Sequence, residues 1–441
     1  MPHQTTIITA RWLIPIEPRN TVLENHAVVI ENNLILDICP IQIALERFPE
    51  ASVVERLDHV LMPGLINSHT HAAMSLFRGL ADDLHLNEWL GDHIWPAEGK
   101  WVSSQFVEDG TRLAVAEMLL GGTTNFTDMY FYPDVAAQVC QELGMRATLG
   151  LPVLDFPSPW ADGPQQYFEK GLAAHDATAS LELVNTAFAP HAPYTISDDP
   201  LRQIKDYAEK LQLPIHMHVH ETAQEVSDAV AQTDMRPLAR LEALGLLNSR
   251  LIAVHMTQLT DQEIAVVAAQ GVHVVHCPSS NAKLASGQCR THDLVQAGVN
   301  VALGTDGAAS NNNLDMFSEM RTAAFAGKIV SGDARALPAW QILEMATING
   351  AAAVNQQHLV GSIKIGKAAD LIAVDLSSVS TQPVYDPISQ IVYSASREQV
   401  SDVWVNGQQL VNDKKLTNID TSILLKTTSD WGNKIRNAVT N

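Results

Sequence analysis

Between about residue 60 and residue 350, short runs rich in Val, Ile and Leu alternate with stretches of helical period. This alternation predicts βα units around a parallel sheet. One unit can be read in full. Thr260 and Glu263 have capping-box spacing, Ile264, Val267 and Ala268 make an apolar stripe, Gly271 ends the helix, and a strand Val272–His276 follows. Further strands run into polar loops in "TAFAPHAPYT", "LPIHMHVHET", "RLIAVHMTQ" and "VNVALGTDGAAS", and each time the polar end is the C-terminal one. The two ends of the chain differ. Residues 1 to about 60 hold "TTIITARWLIPI" and "AVVIENNLILDI", the second broken by a Glu-Asn-Asn turn. The tail holds "ADLIAVDL" and "DVWVNGQQLV", where Asn406-Gly407 between alternating residues signals a two-residue hairpin. The pattern predicts one small β-domain built from both termini and wrapped around a central barrel.

Composition narrows what such a barrel serves. At 441 residues the chain is long for one ordinary domain and suits a large barrel with a smaller companion. Hydrophobic residues make up 46% and charged residues 17%, a globular balance, and no apolar run is long enough to cross a bilayer. The opening "MPHQTTIITARWLIPIEPRN" lacks a basic segment followed by an unbroken apolar one, so no secretory signal is expected and a cytoplasmic location is. Cys39, Cys140, Cys277 and Cys289 are scattered without paired spacing and read as buried free thiols. Lys and Arg number 28 against 49 Asp and Glu, a net charge of −21 that repels nucleic acid and anionic membranes and leaves a small molecule as the expected partner.

The candidate chemistry lies at the strand ends. In "PGLINSHTH", His69 and His71 share a face only if the segment is extended, because i and i+2 lie about 200° apart on a helix. Two imidazoles leaning from one strand end can supply nitrogens at the 2.0–2.1 Å that zinc requires. In "HMHVHE", His216, His218 and His220 lie on one strand face with Glu221 after them, and imidazoles in a barrel interior are costly unless paired or metal-bound. The spacing does not say which of the three binds. Asp306 ends "VNVALGTD", where a lone Asp is more often a helix cap, but beside these histidines it would complete a neutralising ligand set. His255 ends "LIAVH" and His191 precedes "APYT". Titratable residues thus gather at one end of at least five strands, where barrel enzymes build their sites.

Taken together, "PGLINSHTH", "HVHET", "AVH", "LGTDGAASNNNLDMFSEMR" and "GSIKIGKAADLIAVDL" resemble the amidohydrolase superfamily. Within it they are most similar to the 5-methylthioadenosine/S-adenosylhomocysteine deaminases and their triazine-hydrolase and guanine-deaminase relatives. The resemblance implies a distorted (β/α)8 barrel over residues 61–360, a flanking β-sandwich from residues 1–60 and 361–441, and one divalent metal, usually zinc. By the same resemblance His69, His71, His218 and Asp306 match the metal ligands, Glu221 the general acid/base of an H-x-x-E pattern, and His255 a histidine that orients and deprotonates the attacking water. Glu98, in "IWPAEGKW", otherwise a solvated loop glutamate, matches a carboxylate that engages ribose hydroxyls, and His191 matches a substrate-binding histidine.

The implied reaction is attack of water on C6 of an adenine ring. Glu221 delivers a proton to N1, His255 and Asp306 take up the proton of the water, and ammonia leaves. The expected substrates are 5'-methylthioadenosine, adenosine and S-adenosylhomocysteine. No lysine ends a strand between Arg146 and His191, so the bridged two-metal form is not expected. Approximate matching puts Leu151 where some relatives carry an arginine for the S-adenosylhomocysteine carboxylate, which favours the first two substrates. Competing readings are hydrolysis of a free base, pterin or triazine in the same site, and a catalytically dead barrel kept as a scaffold. Barrels of this kind often pair, which leaves a homo-oligomer, dimer or tetramer, open.

Overall fold

The computed structural model describes residues 5–439, and these form two sheets of eight strands each. The chain starts in the first sheet with β1 (Thr5–Leu13), β2 (Leu23–Glu31), β3 (Leu34–Pro40) and β4 (Ser52–Pro63). It then lays down β5 (Leu65–Thr70), β6 (Thr123–Asp128), β7 (Arg146–Val153), β8 (Val184–Pro190), β9 (Ile215–Val219), β10 (Leu251–His255), β11 (His273–His276) and β12 (Val301–Leu303). It returns to the first sheet with β13 (Leu371–Asp375), β14 (Val400–Val405), β15 (Gln408–Asn412) and β16 (Lys415–Leu416).

The middle eight strands are parallel and neighbour one another in chain order, with helices between them. Strands covered on both sides must be apolar on both faces. Accordingly β5, β6, β7 and β9 are buried along their whole length. The helix Asp261–Gln270 shows how locally such a unit is encoded. Thr260 and Glu263 form the reciprocal capping box expected of them, and Gly271 closes the helix at φ 68°.

The barrel is distorted as expected. The β5/β6 register shifts twice, and β8 meets β9 at a single residue pair. Its seam between β12 and β5 is held largely by side chains. Asn67 donates to Thr305 Oγ1 at 2.7 Å and accepts from Thr305 N at 2.9 Å, and Asp306 N donates to His69 O at 2.9 Å. Gly304 stands at the closest approach, where a Cβ would fall 2.7 Å from His69 N. The absence of a side chain there lets the first and last barrel strands touch, and that contact sets His69 beside Asp306.

Both termini build the sandwich-like sheet, in the order β16-β15-β14-β13-β4-β1-β2-β3. β4 lies parallel to β1 and antiparallel to β13, so it joins the N-terminal strands to the C-terminal ones. Ile8, Leu13, Val28, Leu61, Leu371 and Trp404 share one core between them. Asn406 and Gly407 take φ 49° and 77° and connect β14 to β15 as a two-residue hairpin. Of the terminal ranges expected for this domain, residues 1–4 and 440–441 lie outside the described residues. The helix Thr421–Val439 leaves the sheet and packs on the barrel helix Ser104–Leu120, where Trp431 Nε1 donates to Asp109 at 2.9 Å.

One buried ion pair ties sheet to barrel. Arg146, the first residue of β7, donates through Nε and Nη2 to both oxygens of Asp370 at 2.9 and 3.0 Å. Arg146 is 2% exposed and Asp370 is 3% exposed, and Asp370 also accepts from Asn406 N at 2.8 Å. All four cysteines are buried and free. Among the described residues no helix is long and apolar enough to cross a membrane.

Candidate active site

Several barrel strands end in backbone that ordinary residues avoid. His220, just past β9, has φ 53°; His255, the last residue of β10, has 74°; Asp306, three residues past β12, has 64°. A non-glycine residue held in the left-handed region costs roughly 1–3 kcal/mol, and such strain gathers where a chain must aim a functional group. Here the turns at His255 and Asp306 send side chains across the mouth of the barrel.

Five of them converge. His69 Nε2 lies 3.1 Å from His218 Nε2 and 3.3 Å from Asp306 Oδ1, and His71 Nε2 lies 3.3 Å from the same oxygen. Donor atoms of His69, His218 and His255 lie within 4.8 Å of one another, as do those of His69, His71 and Asp306. Behind each imidazole the other nitrogen is occupied. His71 Nδ1 donates to Met129 O at 2.6 Å, and His218 Nδ1 to His191 O at 2.7 Å. His255 Nδ1 pairs with Asn281 Oδ1 at 2.8 Å and His69 Nδ1 with His216 Nε2 at 3.0 Å. A neutral imidazole that gives its Nδ1 proton backwards presents a bare lone pair forwards.

Lone pairs facing one another and a carboxylate require positive charge among them. Burial pulls His69 down to about 4 and His218 well below the usual histidine range, so both are neutral. Burial acts against the charged form of His71 as well, but the hydrogen bond and charge of Asp306 outweigh it and push His71 up to about 9. Asp306 loses hydration by burial, yet the imidazoles of His69 and His71 beside it hold it well below the usual carboxylate range. Asp306 Oδ2 also accepts from Ser280 Oγ at 2.6 Å, and its Oδ1 from Gly307 N at 2.7 Å. Three imidazole nitrogens and one ionised carboxylate, each supported from behind, are a donor set that suits zinc or a similar divalent ion.

A cavity of about 290 Å³ opens above this cluster. His71, Glu98, His191, His218, Glu221, His255 and Asp306 line it, and His69 lies beneath its floor, fully buried. Glu221 Oε2 sits 3.8 Å from His255 Nε2. Burial raises the Glu221 carboxyl above its usual range, only partly offset by His255. Glu98 reaches the cavity from the helix Trp95–Trp101, and loss of hydration pushes it up to about 7 against the hydrogen bond of Tyr130. Burial pulls His191 down to about 3, and its Nδ1 has no protein partner. Around Glu98 the wall is apolar, with Leu86, Leu90, Ile94, Trp95 and Phe156; the rings of the last two are 6.1 Å apart. Leu151 is not part of it. Its Cβ lies 3.5 Å from where a Cβ on Gly171 would stand, so the side chain turns outwards to the helix Pro164–Thr178, while Pro152 and Leu154 line the cavity. The expectation that Leu151 faces substrate is corrected by this alternation of side chains along β7.

The sequence profile of the amidohydrolase family matches residues 60–410. The chain belongs to this family. Among its relatives, a protein of Saccharophagus degradans named 5-methylthioadenosine/S-adenosylhomocysteine deaminase is 50% identical over 98% of this chain and 96% of its own. One of the same name from Teredinibacter turnerae is 46% identical over 99% of each. The crystal structure of an adenosine deaminase from Xanthomonas campestris with bound zinc superposes at a TM-score of 0.97, with 50% identity and 98% of both chains covered. Atrazine chlorohydrolase from Arthrobacter aurescens, at 21% identity and a TM-score of 0.90 over 97% of this chain and 99% of its own, shares the fold.

In this amidohydrolase the three histidines at β9 take different places, and Ser280 and Asn281 join the site without being read from the strand ends. His216 stands one layer deeper than His218 and backs His69 rather than facing the cavity. His220 turns away, its Nε2 accepting from Leu238 N at 3.3 Å and lying 3.8 Å from Glu263. Ser280 and Asn281, which orient Asp306 and His255, come from "HCPSSNAKL" directly after β11. A polar run at that point of a buried strand was the available signal.

Proposed function

We propose that this amidohydrolase removes the exocyclic amino group of an adenine nucleoside by hydrolysis at C6, giving the inosine analogue and ammonia, with 5'-methylthioadenosine and adenosine preferred. The observation that carries the reading is the pairing, in one cavity, of a buried protonatable carboxyl, Glu221, with His255 at 3.8 Å, directly above the convergent nitrogen and carboxylate donors. Names and near full-length identity of the relatives support it. His69, His71, His218 and Asp306 would hold one divalent ion, as zinc is bound in the Xanthomonas campestris enzyme. When bound, such an ion supplies Lewis acidity and lowers the pKa of a coordinated water from 15.7 to about 7.

The protein's own groups do the rest. Glu221, its proton affinity raised by burial, gives a proton to ring N1, which draws charge off C6 as water adds. His255 presents Nε2 towards Glu221 because Asn281 holds its Nδ1, and with Asp306 it takes the proton released by the water; that proton passes on to the amino nitrogen, which leaves as ammonia while the new C6 hydroxyl returns a proton to Glu221. His191 lines the cavity and offers its imidazole to a ring nitrogen. Glu98 accepts from the two ribose hydroxyls, and the indole and phenyl groups beside it exclude water from them. The apolar wall suits a methylthio or hydroxymethyl group at the 5' position. The charged amino-acid end of S-adenosylhomocysteine would meet no lysine or arginine among the described residues lining the cavity. A cytoplasmic location fits the four unpaired thiols.

The test is ammonia release by the metal-analysed protein from 5'-methylthioadenosine, adenosine, S-adenosylhomocysteine, guanine and a chlorotriazine at matched concentrations. Turnover of the first two with guanine and triazine silent supports the proposal, and the reverse pattern overturns it. Glu98→Ala separates the two outcomes further. Losing hydrogen bonds to a charged group costs about 1.5–3 kcal/mol each, so loss of the two should lower kcat/KM for a nucleoside about 10²- to 10⁴-fold. A free base has no vicinal diol and would lose almost nothing.

A further inference from the structure

The turn that carries Glu221 is held at every main-chain group of two successive residues. His220 N donates to Glu225 Oε1 at 3.0 Å, and Glu221 N to Glu225 Oε2 at 2.7 Å. On the other side Thr257 takes both carbonyls. Its N donates to His220 O at 3.0 Å, and its Oγ1 lies 2.7 Å from Glu221 O and 3.2 Å from His220 O. The Glu221 carboxyl, by contrast, has His255 at 3.8 Å as its near polar neighbour, so its direction is set through the backbone rather than by a side-chain partner.

Glu225 is the third residue of the helix Ala223–Thr233, whose cap Thr222 accepts from Glu225 N at 3.1 Å. In an ordinary capping box the third residue reaches back to the amide of the cap itself. Glu225 extends beyond the cap, to the amides of the two residues before it, and one of these is in the left-handed region. Thr257 follows His255 by two residues, so the same clamp joins the end of β9 to the end of β10.

We propose that Glu225, together with Thr257, is a positioning residue that fixes the approach of the Glu221 carboxyl to substrate relative to His255. This rests on the proton-transfer role given to Glu221 above. A carboxyl displaced by about 1 Å from its productive place can cost about 10²-fold in rate. A helix cap alone would change stability and leave the rate of the folded enzyme where it was.

The experiment is a double-mutant cycle on the zinc-loaded enzyme, with kcat and KM measured for whichever substrate the wild type turns over. Glu225→Ala should lower kcat by about 10- to 100-fold, with KM within about 3-fold and bound metal unchanged. Placed on Glu221→Gln, the same substitution should cost less than about 3-fold, because there is no longer a proton donor to misplace. Thr257→Val and Glu225→Gln run the same cycle should the alanine variant fail to fold. Equal losses in both backgrounds, or a lowered Tm with wild-type kcat, overturn the clamp. A Glu221→Gln enzyme with wild-type kcat overturns the role of Glu221 and the clamp with it, whereas an impaired Glu221→Gln beside an unimpaired Glu225→Ala overturns the clamp alone.

Discussion

Glu221→Gln is expected to lower kcat for the nucleoside about 10²- to 10⁴-fold, the span that positioned proton transfer contributes. The replacement keeps size and shape but has no proton to give. It leaves the convergent donors in place, since His69, His71 and His218 are held through Nδ1 by His216, Met129 O and His191 O rather than by Glu221. Bound zinc should therefore stay at the wild-type level, and KM should change little, because ring binding falls to His191 and ribose binding to Glu98. Steady-state ammonia release, with metal content measured on the same sample, checks both. A loss of zinc together with activity would show that the carboxyl supports the ion rather than the proton, and an unchanged kcat would remove Glu221 from the chemistry.

Arg146→Ala is expected to cost about 3–5 kcal/mol of stability, because it leaves the buried Asp370 carboxylate without its partner. A well-packed neutral pair should recover much of that loss, since burying two charges is itself expensive. Arg146→Met with Asp370→Asn is thus expected to be more stable than Arg146→Ala alone. The midpoint of urea unfolding reads the effect. Arg146 opens β7 at the end of the barrel away from the cavity, so kcat per folded molecule should hold. An unfolding free energy within a few tenths of a kcal/mol of wild type would show that water replaces the guanidinium.

Local signals made much of the fold legible. The capping box at Thr260, the glycine stop at Gly271 and the Asn406-Gly407 hairpin all depend on neighbours within a few residues, and all stand as read. The strand ends were legible for a related reason. A titratable residue at the close of an apolar run is costly unless the chain uses it, and such residues from five strands line or floor one cavity. Depth and facing were not legible. His216 and His218 share a strand face, but only the packing of β9 against β5 sets one behind His69 and the other over it. Leu151 differs from its neighbours only by the alternation of β7, which a register error of one residue reverses. Glu98 read as a loop residue because its helix is short and follows an irregular turn, and the cavity it helps line is completed by residues far along the chain.

The place of β4 in the sandwich has a consequence for how the chain is made. Its partner on one side, β1, leaves the ribosome before it, but its partner on the other side, β13, begins only at Leu371, after the whole barrel. Throughout synthesis β4 presents an unpaired edge, with its own Val60, Leu61 and Met62 awaiting cover, and such an edge invites pairing with other nascent chains. The amino-terminal strands therefore cannot complete their domain early, and the last part of the chain to appear is the part that seals the first.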